Sequence, residues 1–364
     1  MRIVLAFNQR EECVHDQDQP PAEPPSEPPS EPPSRPVDDL YAEWDDIHTI
    51  RAVAGALGNH YQVSLVNAAH DPFNEFRRLR PDLVFNIAEG LRGGSREAQI
   101  PAMLDFLGLP YTGSDPVTLG ICLDKQRTKE ILSYHRIPTP RFTVVNSLAE
   151  VPLRLRYPLL VKPTLEGSSK GVTDQALVQD RRTLLRQVDW VLSNYGQPAL
   201  IEDYLPGREF TVALLGNGET LRALPIVEID FSTLPAGVNP IYSFEAKWLW
   251  DREEDPLKIF ACPAPLEPLL QRNIEETCKR AFRIMGCRDW CRIDVRLDGR
   301  GVPNIIELNP LPGILPRPEQ NSCFPKAARA AGLSYDAMIL SVVDAACERL
   351  GLARGGMNER RRHL

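Results

Sequence analysis

Apolar and polar residues alternate with a period of two in several short stretches of this chain, and that alternation predicts strands. Strands are expected at 3–7, 61–66 and 83–86; the first and last are short apolar runs, and 61–66 alternates. Between the first two, Ile47, Ile50, Val53, Ala54 and Leu57 recur at helical spacing behind Asp45, a candidate N-cap. Strands alternating with helices predict a parallel, wound α/β sheet. Such sheets bind ligands at the carboxyl ends of their strands, where Asn8, Asn86 and Glu89-Gly90 fall. This N-terminal unit is expected to span residues 1–123. A second unit, 124–200, has a strand at 157–162 that feeds a polar Gly/Ser loop; a third, 201–350, precedes a polar tail at 351–364.

One segment breaks the pattern. Residues 16–37 contain Glu-Pro-Pro-Ser three times in succession. Proline at this density excludes helix and ladder pairing and favours polyproline II or disorder. A solvated insertion is the expected reading, ahead of a ligand for a proline-recognition domain.

The alternation also marks candidate chemistry. In Arg292-Ile293-Asp294-Val295-Arg296 it puts Arg292 and Asp294 on one strand face. In Asn304 to Pro310 it does the same for Glu307 and Asn309. If the two strands are neighbours, two carboxylates, a carboxamide and a guanidinium converge, a set suited to a hard cation such as Mg2+ with nucleotide phosphates. Each strand alone reads equally as an ordinary half-buried strand. The loop from Lys162 to Gly171 offers glycines for close backbone approach, serine hydroxyls and a lysine, all suited to a phosphate, although it is not a Walker A sequence. The segment Ile201 to Phe210 reads either as a surface hinge or as an apolar adenine slot with Glu202 and Glu209 at its polar groups.

Composition narrows the class. A net charge of -7 argues against a nucleic-acid partner. No stretch approaches a membrane span and the apolar start is too short for a signal peptide, so the expected setting is the cytoplasm. The eight cysteines are scattered and read as reduced thiols; Cys287 and Cys291 lack the companions of a zinc site. No histidine sits beside a credible serine or cysteine nucleophile.

In their order along the chain, these segments resemble the ATP-grasp superfamily and, within it, the D-alanine–D-alanine ligase family. The resemblance runs from about Leu83 to Leu350. It is strongest at Gly108-Leu109-Pro110-Tyr111-Thr112-Gly113-Ser114, Asp124-Lys125, Glu166-Gly167-Ser168-Ser169, Glu245-Ala246-Lys247, Arg292 to Val295 and Glu307 to Gly313. It implies an ATP-grasp fold, part α/β and part α+β, with an N-terminal wound parallel domain and two lobes that clamp ATP. Position by position, it implies that Lys125, Lys162 and Ser169 hold ATP phosphates, and that Glu202 with Asp203, Tyr204 and Leu205 holds adenine. Glu209 would bind ribose, and Lys247 would close over the phosphates from a mobile loop. Asp294, Glu307 and Asn309 would bind two Mg2+ ions, with Mn2+ as the alternative. Arg292 and the Gly313 N–H would steady a tetrahedral intermediate. The implied reaction phosphorylates an amino-acid carboxylate and lets the amine of a second amino acid displace phosphate. Small-molecule amino acids would be the partners, and a homodimer is compatible with the family.

Four departures fall near the amino-acid pockets. The family's first-loop glutamate for the substrate ammonium is absent, and Glu43 is its nearest replacement. Glu89 precedes Gly90 where the family has histidine. Trp248 follows Lys247 where it has tyrosine, removing the hydroxyl that would link to Ser168. The stretch from Ile314 to Asn321 is longer than usual before Ser322, the candidate for the second amino acid's carboxylate. The readings left open are a D-alanine-coupling enzyme, a relative joining other amino acids, and a non-catalytic nucleotide-binding scaffold.

Overall fold

The computed structural model describes residues 1–10, 42–90, 92–234, 237–251 and 257–353. The proline-rich segment and the basic tail lie outside these residues.

Three sheets organise the chain. The first holds β1 (Arg2–Phe7), β2 (Gln62–Asn67) and β3 (Leu83–Asn86), all parallel, in the order β2-β1-β3. β1 and β3 are covered on both faces, so their sequences run as unbroken apolar stretches. Helix α1 (Ile47–Gly58) covers one face with Ile50, Val53 and Leu57, as its spacing predicts. Its N-cap is Asp46, not Asp45: the Asp46 carboxylate accepts the Thr49 N–H at 2.7 Å. Asp45 is drawn away because its backbone pairs with Asn8 and Arg10 beyond β1. The other face packs on α2 (Pro72–Leu79) and α3 (Gln99–Leu107). Helix α4 (Pro116–Leu123) then leads through Asp124 into α5 (Lys125–Tyr134).

The second sheet is antiparallel, in the order β4-β7-β5-β6, from β4 (Phe142–Val145), β5 (Leu159–Pro163), β6 (Leu177–Val178) and β7 (Ala199–Asp203). Helix α6 (Arg181–Tyr195) packs Leu184, Val188 and Val191 against it. Since β7 runs through position 200, the boundary expected between 200 and 201 cuts a strand of this sheet. Apolar alternation continues across both lobes, so the pattern carries no mark at that point.

The third sheet is built on β8 (Glu209–Leu215), with β9 (Arg222–Ala223), β10 (Val227–Ile229), β11 (Phe260–Ala261), β12 (Trp290–Leu297) and β13 (Pro303–Asn309). Strands β12 and β13 are antiparallel neighbours, with Arg292 opposite Asn309 and Asp294 opposite Glu307. The register then shifts, so that Val295 faces Ile305 and Ile306 is left as a bulge. Helix α7 (Pro268–Met285) covers one face of this sheet. Helices α8 (Cys323–Ala330) and α9 (Tyr335–Leu350) bury Phe324, Met338, Ile339 and Val342 in one core with Phe85 and Trp290, which welds the first sheet to the third. Among the described residues no single helix is long and apolar enough to cross a membrane.

Candidate active site

The three sheets meet around one cavity of about 290 Å3. Its wall takes Lys125, Lys162, Glu166 to Lys170, Glu209, Lys247, Trp248, Arg292, Asp294, Glu307, Asn309 and Gly313 from segments far apart in sequence. Glu43, Glu89 and Ser322 line it as well.

Its polar floor is the β12–β13 hairpin. Pairing of Arg292 with Asn309 and of Asp294 with Glu307 puts all four side chains together. Arg292 donates to both Asp294 oxygens at 3.1 and 3.0 Å, and Asn309 Nδ2 donates to Asp294 Oδ2 at 3.1 Å. Burial opposes the Arg292 charge, but Asp294 overcomes it and raises the guanidinium pKa further. Glu307 meets the Lys125 ammonium at 2.5 Å. Burial pushes the Glu307 carboxyl up, yet Lys125 and Lys162 outweigh it and hold the group below its ordinary range. Lys125 is the first residue of α5 and also donates to the Glu166 carbonyl. An ion would find only oxygen donors among Asp294, Glu307 and Asn309, which fits a hard cation. Among the described residues no group of three or more His, Cys, Asp or Glu forms a metal site unaided, so water and phosphate oxygens would complete the shell.

Lys162 reaches the cavity from β5, where it is buried, and pairs with Glu202 at 2.7 Å. Glu202 also takes Lys129 of α5 at 2.7 Å. Burial alone would raise the Glu202 carboxyl, but the two lysines hold it at about 2. Burial pulls Lys129 down to about 8. Lys129 was missed in the sequence because it is one of many polar residues on a helix.

The adenine assignment meets different geometry. Glu202 is enclosed by its lysines, Asp203 pairs with Arg141 at 2.7 Å, and Leu205 is buried; none of these, nor Tyr204, is on the cavity wall. Arg296 explains part of this. It lies over the Tyr204 and Phe231 rings at 4.7 and 5.2 Å and donates to the Tyr204 hydroxyl at 2.7 Å. It also pairs with Glu209 at 2.8 Å, so the expected ribose carboxylate is engaged too.

The glycine-rich loop is braced from three sides. Ser168 and Ser169 both adopt left-handed backbone, φ 51° and 61°, which costs non-glycine residues energy and needs outside support. Ser169 Oγ donates to the Tyr242 carbonyl at 2.9 Å, and Gln197 receives the Leu165 N–H at 3.0 Å. Trp248 donates its indole N–H to the Ser168 carbonyl at 3.1 Å. A link between positions 248 and 168 therefore exists, made by indole to backbone. Lys247 and Trp248 occupy one π-helical turn, Ala246–Trp250, with the ammonium over the indole at 5.2 Å. Burial, and Arg292 nearby, lower Lys247 to about 8.

On the N-terminal side, Glu43 has partners other than those the resemblance assigns. It pairs with Arg96 at 2.7 Å, accepts the Gly167 N–H at 3.0 Å and lies 3.4 Å from Lys170. Arg96 has no signal in the sequence, and Lys170, although within the glycine-rich loop, has no role assigned by its motif. Beside them stand three carboxyls whose acid forms are favoured. Burial raises Glu89 well above its ordinary value, with Glu43, Glu97 and Asp45 adding to it. Burial takes Glu97 and Asp45 to about 8. Ser322 stands at the N-cap position of α8 without capping it; its hydroxyl donates to the Gly313 carbonyl at 3.0 Å and accepts the Leu315 N–H at 3.2 Å.

Two antiparallel lobes closing lysines, a glycine loop and an acidic hairpin on one cavity define an ATP-grasp ligase. The family D-ala D-ala ligase C-terminus matches residues 131–344. An uncharacterised protein of Sinorhizobium fredii is 38% identical over 73% of this chain and 75% of its own. The D-alanine–D-alanine ligase of Bordetella avium is 36% identical over 71% of this chain and 77% of its own. Crystal structures of the Bacillus anthracis D-alanine–D-alanine ligase, one complexed with ATP, share the fold, with the ATP complex at a TM-score of 0.67, 20% identity, and 96% and 98% coverage. The chain belongs to the D-alanine–D-alanine ligase family and is an ATP-dependent ligase that forms a peptide bond between amino acids.

Proposed function

We propose that the protein phosphorylates the carboxylate of one amino acid with ATP and passes the acyl group to the amine of a second, with D-alanine accepted at one or both positions. The observation that carries this is the convergence of Arg292, Asp294, Glu307 and Asn309 with Lys125, Lys162 and Lys247 on one cavity. Phosphoryl transfer depends on positioning and charge neutralisation more than on a protein nucleophile. Lys125, Lys162 and Lys247 supply that charge, and Ser168, Ser169 and the loop amides hold the phosphates. Lys125, paired with Glu307 here, would be free to turn to a phosphate if that carboxylate held a cation. Asp294, Glu307 and Asn309 would hold Mg2+, which would neutralise phosphate charge. Arg292 and the Gly313 N–H face the tetrahedral oxyanion formed when the second amine attacks, and Ser322 orients that amino acid's carboxylate. Expulsion of phosphate completes the peptide bond. The setting is the cytoplasm.

Substrate choice turns on the acidic wall. Glu43 already accepts from Arg96, Gly167 and Lys170, so we assign the first substrate's ammonium to Glu89, which burial leaves poorly tolerant of its own charge until a cation arrives. This wall favours an amino acid with an additional cationic or hydrogen-donating group at the first position. A site built around particular polar partners can reject a mismatched substrate by orders of magnitude. Phosphate release over D- and L-amino acids, singly and in pairs, should show a mixed pair outpacing D-alanine alone, and Trp248→Tyr should narrow the gap. Efficient D-alanine dimerisation with no better pair would assign the protein as an ordinary D-alanine coupler.

A further inference from the structure

We infer that Arg96 and Glu43 are positioning residues that latch the glycine-rich loop into its phosphate-binding shape from the N-terminal domain, an inference that rests on the nucleotide role proposed for that loop.

Four observations meet here. First, the pair is buried and bidentate: Arg96 Nε and Nη2 donate to Glu43 at 3.0 and 2.7 Å, and the two side chains are 6% and 3% exposed. A buried pair of this kind has a defined geometry and little freedom to move. Second, both partners grip the loop itself. Arg96 Nη1 donates to the Leu165 carbonyl at 2.8 Å, and Glu43 Oε1 receives the Gly167 N–H at 3.0 Å. Third, the charges close into a neutral set across the domain junction, because Lys170 pairs with Glu166 at 2.6 Å and approaches Glu43 at 3.4 Å. Fourth, the fit leaves no slack. A β-carbon on Gly167 would sit 2.5 Å from Glu43 Oε1, with the rest of its surroundings open apart from the same carboxyl carbon at 3.6 Å. Gly167 lies outside the left-handed region, so space is what a side chain there would lack.

The latch acts on the residues that need it. Ser168 and Ser169, next to Gly167, hold left-handed conformations that an unsupported loop would abandon. The bracing by Tyr242, Trp248 and Gln197 comes from the two clamping lobes, whereas Arg96 and Glu43 come from the segments around α1 and α3. The N-terminal domain thereby sets the shape of a loop on the central lobe.

The test uses the full chain with Arg96→Gln and Glu43→Gln combined, which removes both charges and leaves the Lys170–Glu166 pair intact. Hydrogen exchange without nucleotide should show at least tenfold faster exchange in residues 165–172, with the three sheets protected as in the parent. ATP affinity, measured by displacement of a fluorescent nucleotide, should fall about tenfold or more, while Arg96→Lys, which keeps the charge but not the fork, should fall in between. Unchanged loop exchange in the folded double variant overturns the inference. Faster loop exchange with unchanged ATP affinity upholds the latch and removes the loop from nucleotide binding. Gly167→Ala gives a check that itself removes no charge. It should weaken ATP binding about tenfold in the parent and add nothing in a Glu43→Ala background, where the methyl meets no carboxylate. Equal losses in both backgrounds would also overturn the inference.

Discussion

Glu307→Gln is expected to lower turnover by about two orders of magnitude or more at saturating Mg2+ and leave the fold in place. Glu307 faces Asp294 across the hairpin and takes Lys125 at 2.5 Å, so each of these two charges satisfies the other. Glutamine keeps the volume and can still accept from Lys125, which also retains the Glu166 carbonyl. What it loses is the negative charge that a divalent cation needs opposite the phosphates. Initial rates against Mg2+ concentration check this, and undiminished turnover at high Mg2+ would remove Glu307 from the metal site.

Removing the Glu202 charge should be the costliest single change to stability. Glu202→Gln leaves the Lys129 and Lys162 charges buried without a carboxylate between them, Lys129 keeping only the neutral Thr139 hydroxyl beside the new amide, and breaking a buried pair in this way costs about 3–5 kcal/mol. The pH dependence follows in sign. The folded carboxyl is held at about 2, below the ordinary 4.5, so its contribution is fully present above about 4.5 and lost as pH falls toward 2. Denaturant midpoints of parent and variant should differ most near neutral pH and converge across that acid window. A constant gap, or none at pH 7, would contradict the assignment of Glu202 as the anchor of both lysines.

The hairpin was legible because period-two alternation reports which side chains share a strand face, and Arg292, Asp294, Glu307 and Asn309 do share one cavity wall. The bulge at Ile306 was not, since one extra residue leaves the composition unchanged. Ordered motifs carried the family, and with it Lys125, Lys162 and Lys247. Arg96 and Lys129 are invisible for a common reason: each looks like a surface charge in sequence, and only long-range packing reveals that its partner, Glu43 or Glu202, is buried with it. Asp45 and Asp46 read alike as caps in sequence, and the choice between these neighbouring aspartates is made by the pairing of the Asp45 backbone with Asn8 and Arg10. The adenine positions around Tyr204 were inferred from motif order, and the structure shows Arg296 engaged with Tyr204 and Glu209 there, a contact between strands that no local pattern announces.

The most direct test of the central claim follows one oxygen atom. The amino acid that gives the fastest phosphate release is supplied with an 18O-labelled carboxylate, together with ATP, Mg2+ and its best partner, and the released phosphate is examined by mass spectrometry. Attack of the carboxylate on the γ-phosphorus, then of the amine on the acyl carbon, moves one labelled oxygen into each phosphate and leaves ADP and a dipeptide. Phosphate carrying a single 18O per dipeptide formed is the predicted result. Unlabelled phosphate, or ATP turnover without dipeptide, would contradict an acyl-phosphate ligase built on this cavity.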